Sequence, residues 1–316
     1  MKAFGPVPSR RLGQSMGINN IPPKICTYSC IYCQLGNTIK MQIERENFYT
    51  VEEIVKDVGD KIQEAKERGE HIDYLTFVPD GEPTLDKNIG TETKELRNFG
   101  IKIAVITNGS LIWDKNVKES LLSADWVSFK IDGISEEIWK KVDRPFRTLK
   151  LAEILQGMNE FSLMFKGDLA TETMLRKGVN DNKNEIEKIA DFISGLKPQK
   201  AYIAIPTRPP AERWAEPSDE NIINMAFQIF EGKGINVEYL IGYEGNSFAF
   251  TGNVEDDLLS ITSVHPMREE GVSEFLKKAK SDWRVIEKLI KEGKLIETSY
   301  EGKRFFVRKL PGRRFD

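Results

Sequence analysis

The sequence predicts an α/β protein: a partial (β/α)6 barrel of the TIM type, followed by a small winged-helix-like domain. Two observations support this prediction. Short apolar runs alternate with helical stretches through most of the chain, and the pattern changes character after Gly252. At 316 residues with 40% apolar content, the chain can bury one substantial core and still carry a second small domain. A doubly wound open sheet is the alternative arrangement of the same elements.

The amino-terminal region supplies the first strand and the first helix. Residues 1–24, rich in Pro and Gly, indicate irregular chain with one short strand at 16–21. Apolar positions recur at helical spacing over residues 51–68. Thr50, with Glu53 three residues later, forms a capping-box pattern at the start of that helix, and Gly69 ends it.

The central region repeats the strand-helix unit. Further strands are predicted at 74–78, 101–106, 126–131, 169–175 and 202–205, and helices at 87–99, 116–122, 149–158, 184–196 and 218–232. Alternation of this kind indicates a parallel sheet covered by helices. Functional side chains are therefore expected where the strands end.

The last part of the chain predicts a different unit. Three short helices at 254–264, 269–280 and 282–292 precede two strands within 295–310 that turn at Glu301 and Gly302, a set that resembles a winged-helix module. The segment 245–252, rich in Gly, Asn and Ser, is the expected boundary. We therefore predict a barrel domain at 1–250 and a winged-helix-like domain at 251–316.

The charge distribution separates the two predicted domains. Residues 264–316 carry 14 Lys and Arg against 9 Asp and Glu, so this tail is +5 although the whole chain is −3. The excess lies in Lys303, Arg304, Arg308, Lys309, Arg313 and Arg314. It predicts either an acidic partner or a solvated edge. No apolar run reaches the roughly 18 residues needed to span a membrane, so we expect no membrane partner and a cytoplasmic location.

All three cysteines lie within eight residues. Cys26, Cys30 and Cys33 have the spacing C-x3-C-x2-C, with Tyr32 directly before the last. A structural zinc site needs four ligands, and no fourth Cys or His lies nearby. A cubane iron-sulfur cluster on three cysteines would leave one iron open to a small molecule. An incomplete zinc site and three buried thiols are the alternatives; an odd cysteine count argues against disulfides.

This cysteine pattern resembles the signature of the radical S-adenosylmethionine (SAM) enzymes. The resemblance implies one 4Fe-4S cluster, on Cys26, Cys30 and Cys33, whose open iron binds the amino and carboxyl groups of SAM. It also implies an electron donor such as flavodoxin or ferredoxin, and reductive cleavage of SAM to a 5′-deoxyadenosyl radical. Gly81, Glu82 and Pro83 are similar to the family's Gly-Gly-Glu-Pro motif, which binds the SAM amino group, although Asp80 replaces the first glycine.

Other strand ends supply the remaining candidates for SAM binding. Asn108 follows the third strand, and Ser128, Lys130 and Asp132 alternate along one face of the fourth. The last three either pair with one another as a structural ion pair or contact SAM, and we predict the contact. Met174 and Ile205 lie in segments similar to those that contact adenine in radical SAM barrels, although a methionine is also ordinary core.

Three arginine-bearing loops predict an anionic substrate. Arg10, Arg144 and Arg208 each lie beside an expected element of the barrel mouth, where guanidinium groups would bind an anion; surface positions are the alternative. Residues 7–13 and 206–210 are similar to the iron-sulfur oxidoreductase branch that includes the wyosine-base-forming tRNA enzymes. Those enzymes carry a second cluster, for which this chain has no cysteines left.

The sequence leaves the substrate open. The tail predicts RNA binding through Trp283, Arg284 and Lys288 on a candidate recognition helix, and through residues 303–309 in the wing. The alternative is a protein substrate or a carrier-bound metabolite, because Glu287, Glu292 and Glu297 dilute the basic face. A non-catalytic regulator that binds SAM or a cluster is the third reading. We predict RNA slightly ahead of protein.

Overall fold

The computed structural model describes residues 2–241, 248, 250, 252–264 and 266–309. The strands are β1 (Ala3–Ser9), β2 (Gly13–Ile18), β3 (Ile25–Cys26), β4 (Lys40–Met41), β5 (Tyr74–Phe77), β6 (Lys102–Thr107), β7 (Trp126–Lys130), β8 (Asp168–Met174), β9 (Lys200–Ala204), β10 (Val237–Leu240), β11 (Met267–Arg268), β12 (Leu295–Tyr300) and β13 (Lys303–Arg308). The helices are α1 (Val51–Glu67), α2 (Ile89–Leu96), α3 (Lys115–Leu121), α4 (Glu136–Asp143), α5 (Leu151–Met164), α6 (Lys183–Leu196), α7 (Glu220–Gly232), α8 (Val254–Val264), α9 (Glu269–Lys278) and α10 (Arg284–Lys291).

The main sheet has eight strands in the order β1-β2-β5-β6-β7-β8-β9-β10. All neighbours pair in parallel except β1 and β2, which form an antiparallel hairpin at one edge. The sheet curls into a half-barrel, which confirms the predicted partial TIM-type barrel. Because the strands are parallel, their carboxyl ends meet at one rim, where the site is expected.

The two faces of the sheet carry different cores. The outer face packs against the helices through a large apolar cluster that includes Val127, Phe129 and Leu169. The inner face holds a smaller cluster with Trp126, Ala170 and Ala204. Side chains along β7 therefore alternate between the two cores, as the sequence predicts. This alternation directs Ser128 and Lys130 into the barrel.

In the amino-terminal half, one sequence-based prediction was wrong and one helix was missed. Residues 3–9 form β1 rather than irregular chain. Prolines lack the N–H donor of a central strand, but β1 is an edge strand with a register shift between Phe4 and Val7, where Pro6 is tolerated. The helix α4 was also missed, because it is only eight residues long and strongly charged.

The predicted capping box of α1 is confirmed. The Thr50 hydroxyl accepts from the Glu53 backbone N–H at 3.2 Å, and the Glu53 carboxylate accepts from the Thr50 N–H at 2.9 Å. These two bonds satisfy two of the helix's otherwise unpaired first-turn donors. They fix the start of α1 one residue beyond the predicted cap.

The tail contains the three predicted helices and the predicted hairpin, joined by one strand that the sequence did not predict. The strands β11, β13 and β12 form a small antiparallel sheet in that order. Its core includes Phe275, Leu289 and Phe306, and also Phe4 and Val7 of β1. The tail therefore packs on the edge of the barrel. Likeness to a winged helix and the boundary at 250 stay predictions, and Arg313, Arg314 and most of the segment 245–252 lie outside the described residues.

No helix among the described residues combines the length and the apolar character needed to cross a membrane.

Candidate active site

The cysteine loop leaves the barrel after β2 and runs through β3. Cys26, Cys30 and Cys33 are all free thiols of intermediate exposure. A turn closes the end of the loop, with the Cys33 N–H bonded to the Cys30 carbonyl at 3.1 Å. Cys33 raises the pKa of Cys26, and Cys26 and Cys33 raise the pKa of Cys30. The loop thus carries all three thiols of the chain.

The loop after β5 is joined directly to the cysteine loop. The backbone N–H of Glu82 donates to the Ile25 carbonyl at 3.2 Å, and that of Lys24 donates to the Asp80 carbonyl at 2.6 Å. A Cβ at position 81 would collide with the Ile25 carbonyl, so only glycine fits there. The motif Gly81-Glu82-Pro83 therefore sets the position of the first cysteine.

Glu82 is buried and holds two strand ends together. Its Oε1 accepts bonds from the backbone N–H of Thr84 at 3.0 Å and from the hydroxyls of Thr84 and Thr107, each at 2.6 Å. Its Oε2 accepts from the backbone N–H of Asn108 at 2.9 Å. Burial raises the pKa of Glu82, and these bonds oppose the rise. Oε2 keeps capacity for one further donor.

Asn108 turns its side chain toward the cysteine loop, as the sequence predicts for a strand end. Its amide Nδ2 donates to the Thr27 hydroxyl at 2.8 Å and lies 3.7 Å from the Cys26 sulfur. On the other side of the loop, the Lys24 ammonium lies 3.8 Å from the Cys33 sulfur. N–H donors next to sulfur are among the groups that tune iron-sulfur centres.

The thiols are held in a poorly solvated place. Burial raises the pKa of Cys26 to about 12, and the carboxylate of Glu82 adds to the rise. Burial and Asp143 raise the pKa of Cys30 as well, and the Cys30 sulfur lies 3.3 Å from Asp143 Oδ1. A metal centre would have to displace these protons on binding. Its positive charge would replace the missing solvation.

The three thiols of the loop fit a cluster with one open iron. Within the described ranges, no three or more His, Cys, Asp and Glu side chains surround one point as ligands of a single metal ion would. A cubane binds each thiolate to a different iron and does not require that arrangement. Three free thiols on one loop, with N–H donors beside two of the sulfurs, match its needs.

A charged network lies inside the barrel beside the cysteine loop. Lys130 and Glu172 are register partners on β7 and β8, and the Lys130 ammonium donates to Glu172 Oε1 at 2.8 Å. Arg11 forms an ion pair with the other oxygen of Glu172. Burial alone would raise the pKa of Glu172, but Lys130 and Arg11 reverse the effect and lower it to about 2. Glu172 is therefore a fixed negative charge.

Asp132 connects this network to the cysteine loop. Its carboxylate accepts from the Tyr32 hydroxyl and from the backbone N–H of Met174, the latter at 2.6 Å. The Lys130 ammonium lies 3.9 Å from Asp132 and 4.9 Å from the centre of the Tyr32 ring. Burial raises the pKa of Asp132 despite the opposing effect of Lys130. Tyr32, Lys130 and Asp132 therefore meet beside the cysteine loop.

A cavity of about 250 Å³ is lined by Tyr32, Lys130, Glu172 and Arg11 of this network but not by Asp132. Its lining includes Cys33, Tyr32 and Lys130 together with Met174 and Ile205, two of the predicted adenine contacts. Ser128 is buried one step deeper on β7, where its register partners are Ile106 and Ala170. The structure therefore places Ser128 below the cavity rather than in its wall.

The three predicted substrate-binding arginines divide into two groups. Arg10 and Arg208 line the cavity, and the Arg208 guanidinium donates to the Gln34 side chain at 2.9 Å. Arg144 is not in the lining; it follows α4 with φ 46° and pairs with Glu212 at 2.5 Å. The structure thus brings two of these arginines together and leaves the third outside.

Several residues of the site were missed or left without a role by the sequence analysis. Glu172 and Arg11 complete the network around Lys130. Asp143 lies against Cys30, but it belongs to the missed helix α4. Arg176 is fully buried two residues after Met174. Glu172 and Arg176 share the inward face of β8 and its extension, so alternation along the strand was the available signal.

The candidate RNA-binding residues of the tail have partners within the chain. Trp283 packs edge-on against Phe306 with ring centres 5.5 Å apart. Arg284 pairs with Asp282 at 2.5 Å, and Lys288 pairs with Glu255 at 2.5 Å. In the wing, Arg304 pairs with Glu269 and Glu297 at 2.7 and 2.9 Å. The basic face predicted from the sequence is therefore interleaved with carboxylates.

Comparison with known proteins gives one family and consistent neighbours. Residues 20–193 match the model of the radical SAM superfamily. The chain is 49% identical over 313 residues to a UPF0026 protein of Methanocaldococcus jannaschii, covering 98% of this chain and 97% of that protein.

Two solved structures are similar in fold. A radical SAM methyltransferase from Sphaerobacter thermophilus gives a TM-score of 0.54 at 18% identity, covering 72% of this chain and 66% of that one. TYW1 with a lysine-pyruvate adduct bound gives 0.54 at 14% identity, covering 69% of this chain and 73% of that one.

Proposed function

Because the chain belongs to the radical SAM superfamily, we propose that it is an enzyme that cleaves SAM reductively and removes a hydrogen atom from an anionic substrate. The thiolates of Cys26, Cys30 and Cys33 would hold one 4Fe-4S cluster. When bound and reduced, the cluster supplies the electron that splits SAM into methionine and the 5′-deoxyadenosyl radical that takes the hydrogen. A one-electron donor of the flavodoxin or ferredoxin class would supply that electron.

The residues around the cysteine loop would position SAM. Glu82 Oε2 has capacity for the amino group, and Gly81 and Pro83 hold the loop that carries it. Lys130 would face the carboxylate, and Asp132 would accept from the ribose. Met174 and Ile205 supply apolar surface in the cavity for the adenine.

The observation that carries the proposal is the lining of the cavity. Cys33 and Tyr32 of the cysteine loop share its wall with Lys130 and with Arg10 and Arg208. Cys33 of the cysteine loop and a set of cations therefore face the same cavity. An anionic substrate held by the arginines would lie next to SAM, as transfer of a hydrogen atom requires.

The test is anaerobic formation of 5′-deoxyadenosine. The full chain, reconstituted with iron and sulfide, is incubated with SAM and dithionite, and the product is measured by chromatography. We expect 5′-deoxyadenosine from the wild type and none above background from Cys30→Ala. No product from either protein would contradict the proposal and favour a non-catalytic regulator. Equal amounts from both would contradict the role of Cys30 in the reaction.

For the substrate we propose an anionic small molecule or a carrier-bound metabolite rather than RNA held by the tail. A groove of about 970 Å³ lies between the loop after Arg208 and β12, beside the cavity. Its lining includes Glu301 and Arg213, together with Glu212 and Glu297, which form ion pairs with Arg144 and Arg304. The groove therefore offers no concentrated basic surface to a phosphate backbone. The ion pairs of Arg284 and Lys288 weigh in the same direction.

Salt-dependent RNA binding tests this choice in the full chain. The double variant Arg284→Glu, Lys288→Glu reverses two charges on the candidate recognition helix. We expect wild type and variant to bind bulk tRNA equally weakly in fluorescence anisotropy across a salt series. Strong wild-type binding whose salt dependence falls in the variant would restore RNA as the substrate.

A further inference from the structure

Arg176 is a buried cation whose charge the structure leaves uncompensated. It is 0% exposed, and none of its three guanidinium nitrogens has a hydrogen-bond partner among the described residues. No ion pair joins it to any carboxylate of those residues either. Among the large side chains at the centre of the molecule, it is the one that carries a full charge.

Hydrogen bonds fix the backbone that carries this side chain. The Arg176 N–H donates to Asn180 Oδ1 at 2.7 Å, and Arg176 forms an antiparallel bridge with Pro217. Asn180 in turn donates to the carbonyls of Asp132 and Met174 at 2.8 and 2.9 Å. Hydrogen bonds thus join the segment after β8, which carries Arg176, to Asp132 and Met174 of the site.

A buried guanidinium without partners is costly. Removing an ionised group from water costs several kcal/mol unless hydrogen bonds and an opposite charge replace the solvent. Burial lowers the pKa of Arg176, but only to about 10, so the group stays charged at neutral pH. An apolar side chain such as Met would fill the same space without this cost. The donors are therefore available to something that the protein binds.

The surroundings place this group between the cavity and the tail. After burial, the strongest influences on its charge are Tyr300 of β12, then Tyr32 and Asp132. The Tyr300 hydroxyl lies 3.4 Å from the carbonyl of Pro206, in the cavity wall two residues before Arg208. Tyr32 and Asp132 form the other side, next to the cysteine loop. Met174 and Pro206 line the cavity and Arg176 does not, so this buried side chain lies behind the cavity wall.

We propose that Arg176 binds an oxyanion of the substrate, a phosphoryl or carboxylate group, at the junction of barrel and tail. The identity of that molecule as substrate rests on the proposed function; the binding of the anion does not. A planar guanidinium offers two parallel N–H donors to either group. Tyr300 would add a hydroxyl from the tail, which gives the tail a direct part in the site.

The test measures anion binding without SAM or reductant. The full chain is titrated with inorganic phosphate, and separately with malonate, while thermal unfolding is followed against potassium chloride of equal ionic strength. We expect a saturable rise of Tm in the wild type and an at least tenfold weaker apparent affinity in Arg176→Met. The two arms show whether the site prefers phosphoryl or carboxylate groups. Lys177→Met, which removes an exposed neighbour paired with Asp219, should behave as wild type.

A second measurement, thermal unfolding without added anions, separates anion binding from a structural role of Arg176. Without added anions, Arg176→Met should unfold at the same temperature as wild type or higher, because the variant no longer buries an uncompensated charge. A lower Tm together with unchanged anion affinity would overturn the proposal. So would anion binding that survives Arg176→Met but is lost in Arg208→Met, absence of any saturable effect in wild type, or a loss of SAM affinity with anion affinity unchanged.

The two proposals fail separately. If the wild type forms no 5′-deoxyadenosine but still shows the Arg176-dependent anion effect, the reaction is wrong and the binding site stands. If 5′-deoxyadenosine forms and the anion effect is absent, the proposed reaction stands and the anion-binding site is wrong.

Discussion

The two sides of the cavity differ in how completely their polar groups are satisfied. On the cofactor side, defined by Cys26–Cys33, the loop 80–84 and Asn108, Glu82 accepts four bonds from the protein, and the amide of Asn108 is also bonded. On the substrate side, defined by Arg10 and Arg208 in the cavity wall and by Arg176 behind it, the guanidinium of Arg176 is buried and unmatched among the described residues. The polar groups of the cofactor side are already hydrogen-bonded within the protein, whereas the charge of Arg176 on the substrate side is left for a ligand.

Glu82→Ala breaks the cofactor side and should have the largest effect. It removes the acceptor of Thr84, Thr107 and Asn108 and leaves their donors buried, at about 1–3 kcal/mol for each unpaired group. We expect a loss of several kcal/mol in the free energy of unfolding, measured by urea denaturation, and poor iron incorporation. Glu82→Gln should lose less, and the exposed Glu95→Ala almost nothing. Normal stability in Glu82→Ala would show that this side is not prebuilt.

Lys130→Met probes the border between the two sides. It leaves Glu172 buried with Arg11 as its remaining ion-pair partner within the described chain, and it removes the cation over Tyr32. We expect formation of 5′-deoxyadenosine to fall about 100-fold, equivalent to about 2.7 kcal/mol, with most of the loss in SAM affinity. Lys130→Arg should recover part of it. An unchanged SAM affinity would mean that Lys130 and Glu172 are only a structural ion pair.

The sequence predicted the two sides to different extents, because their residues are separated by different distances along the chain. The cysteines and Gly81-Glu82-Pro83 belong to short continuous motifs, and a motif carries its spacing with it. The Lys130–Glu172 pair depends on the register of β7 and β8, whose paired residues lie 42 positions apart. Alternation along each strand indicated which residues face inward but not which of them meet.

The arginines show the same limit more clearly. Arg10, Arg144 and Arg208 were all predicted on the same ground, because each lies in a loop near an expected strand end. The structure separates them: α4, which was not predicted, carries Arg144 away to Glu212. The sequence assigned no role to Arg176, since burial without a partner can be seen only once the surrounding elements are in place.

A pair of buried carboxyl groups lies on the side of the sheet that the helices cover. It tests whether burial of ionisable groups is by itself enough to mark a functional site. Asp86 and Glu92 are both 0% exposed, and burial followed by the charge of Asp86 raises the pKa of Glu92 to about 9. The folded protein therefore keeps a proton that the unfolded chain loses above its ordinary pKa of 4.5. The contribution of this proton to the free energy of unfolding is complete below about pH 4.5 and disappears as the pH rises to about 9.

The variant Glu92→Gln removes this pH dependence. The wild type should lose up to about 1.4 kcal/mol per pH unit from this one group within that window, and the variant should not. The difference in Tm between variant and wild type should thus grow in favour of Glu92→Gln from pH 5 to pH 9, with exposed Glu95→Gln as control. Anion binding at the substrate side should stay at the wild-type level. A constant difference across pH would contradict the account of this pair.

Arg144→Gln should have the smallest effect. The pair with Glu212 is partly exposed, and such pairs contribute about 0–1 kcal/mol. Since Arg144 does not line the cavity, we expect 5′-deoxyadenosine formation and anion affinity within about twofold of wild type. A tenfold loss of anion affinity would return Arg144 to the substrate side and redraw the border between the two regions.

The central claim is that three cysteines hold one cluster with an iron open to SAM. Its most direct measurement is the iron content of the anaerobically reconstituted full chain, combined with the electron paramagnetic resonance spectrum of the reduced protein with and without SAM. We expect about four irons per chain, as one cubane requires, and a signal that shifts when SAM is added. About eight irons, no iron retained by the wild type, or a spectrum unchanged by SAM would contradict it.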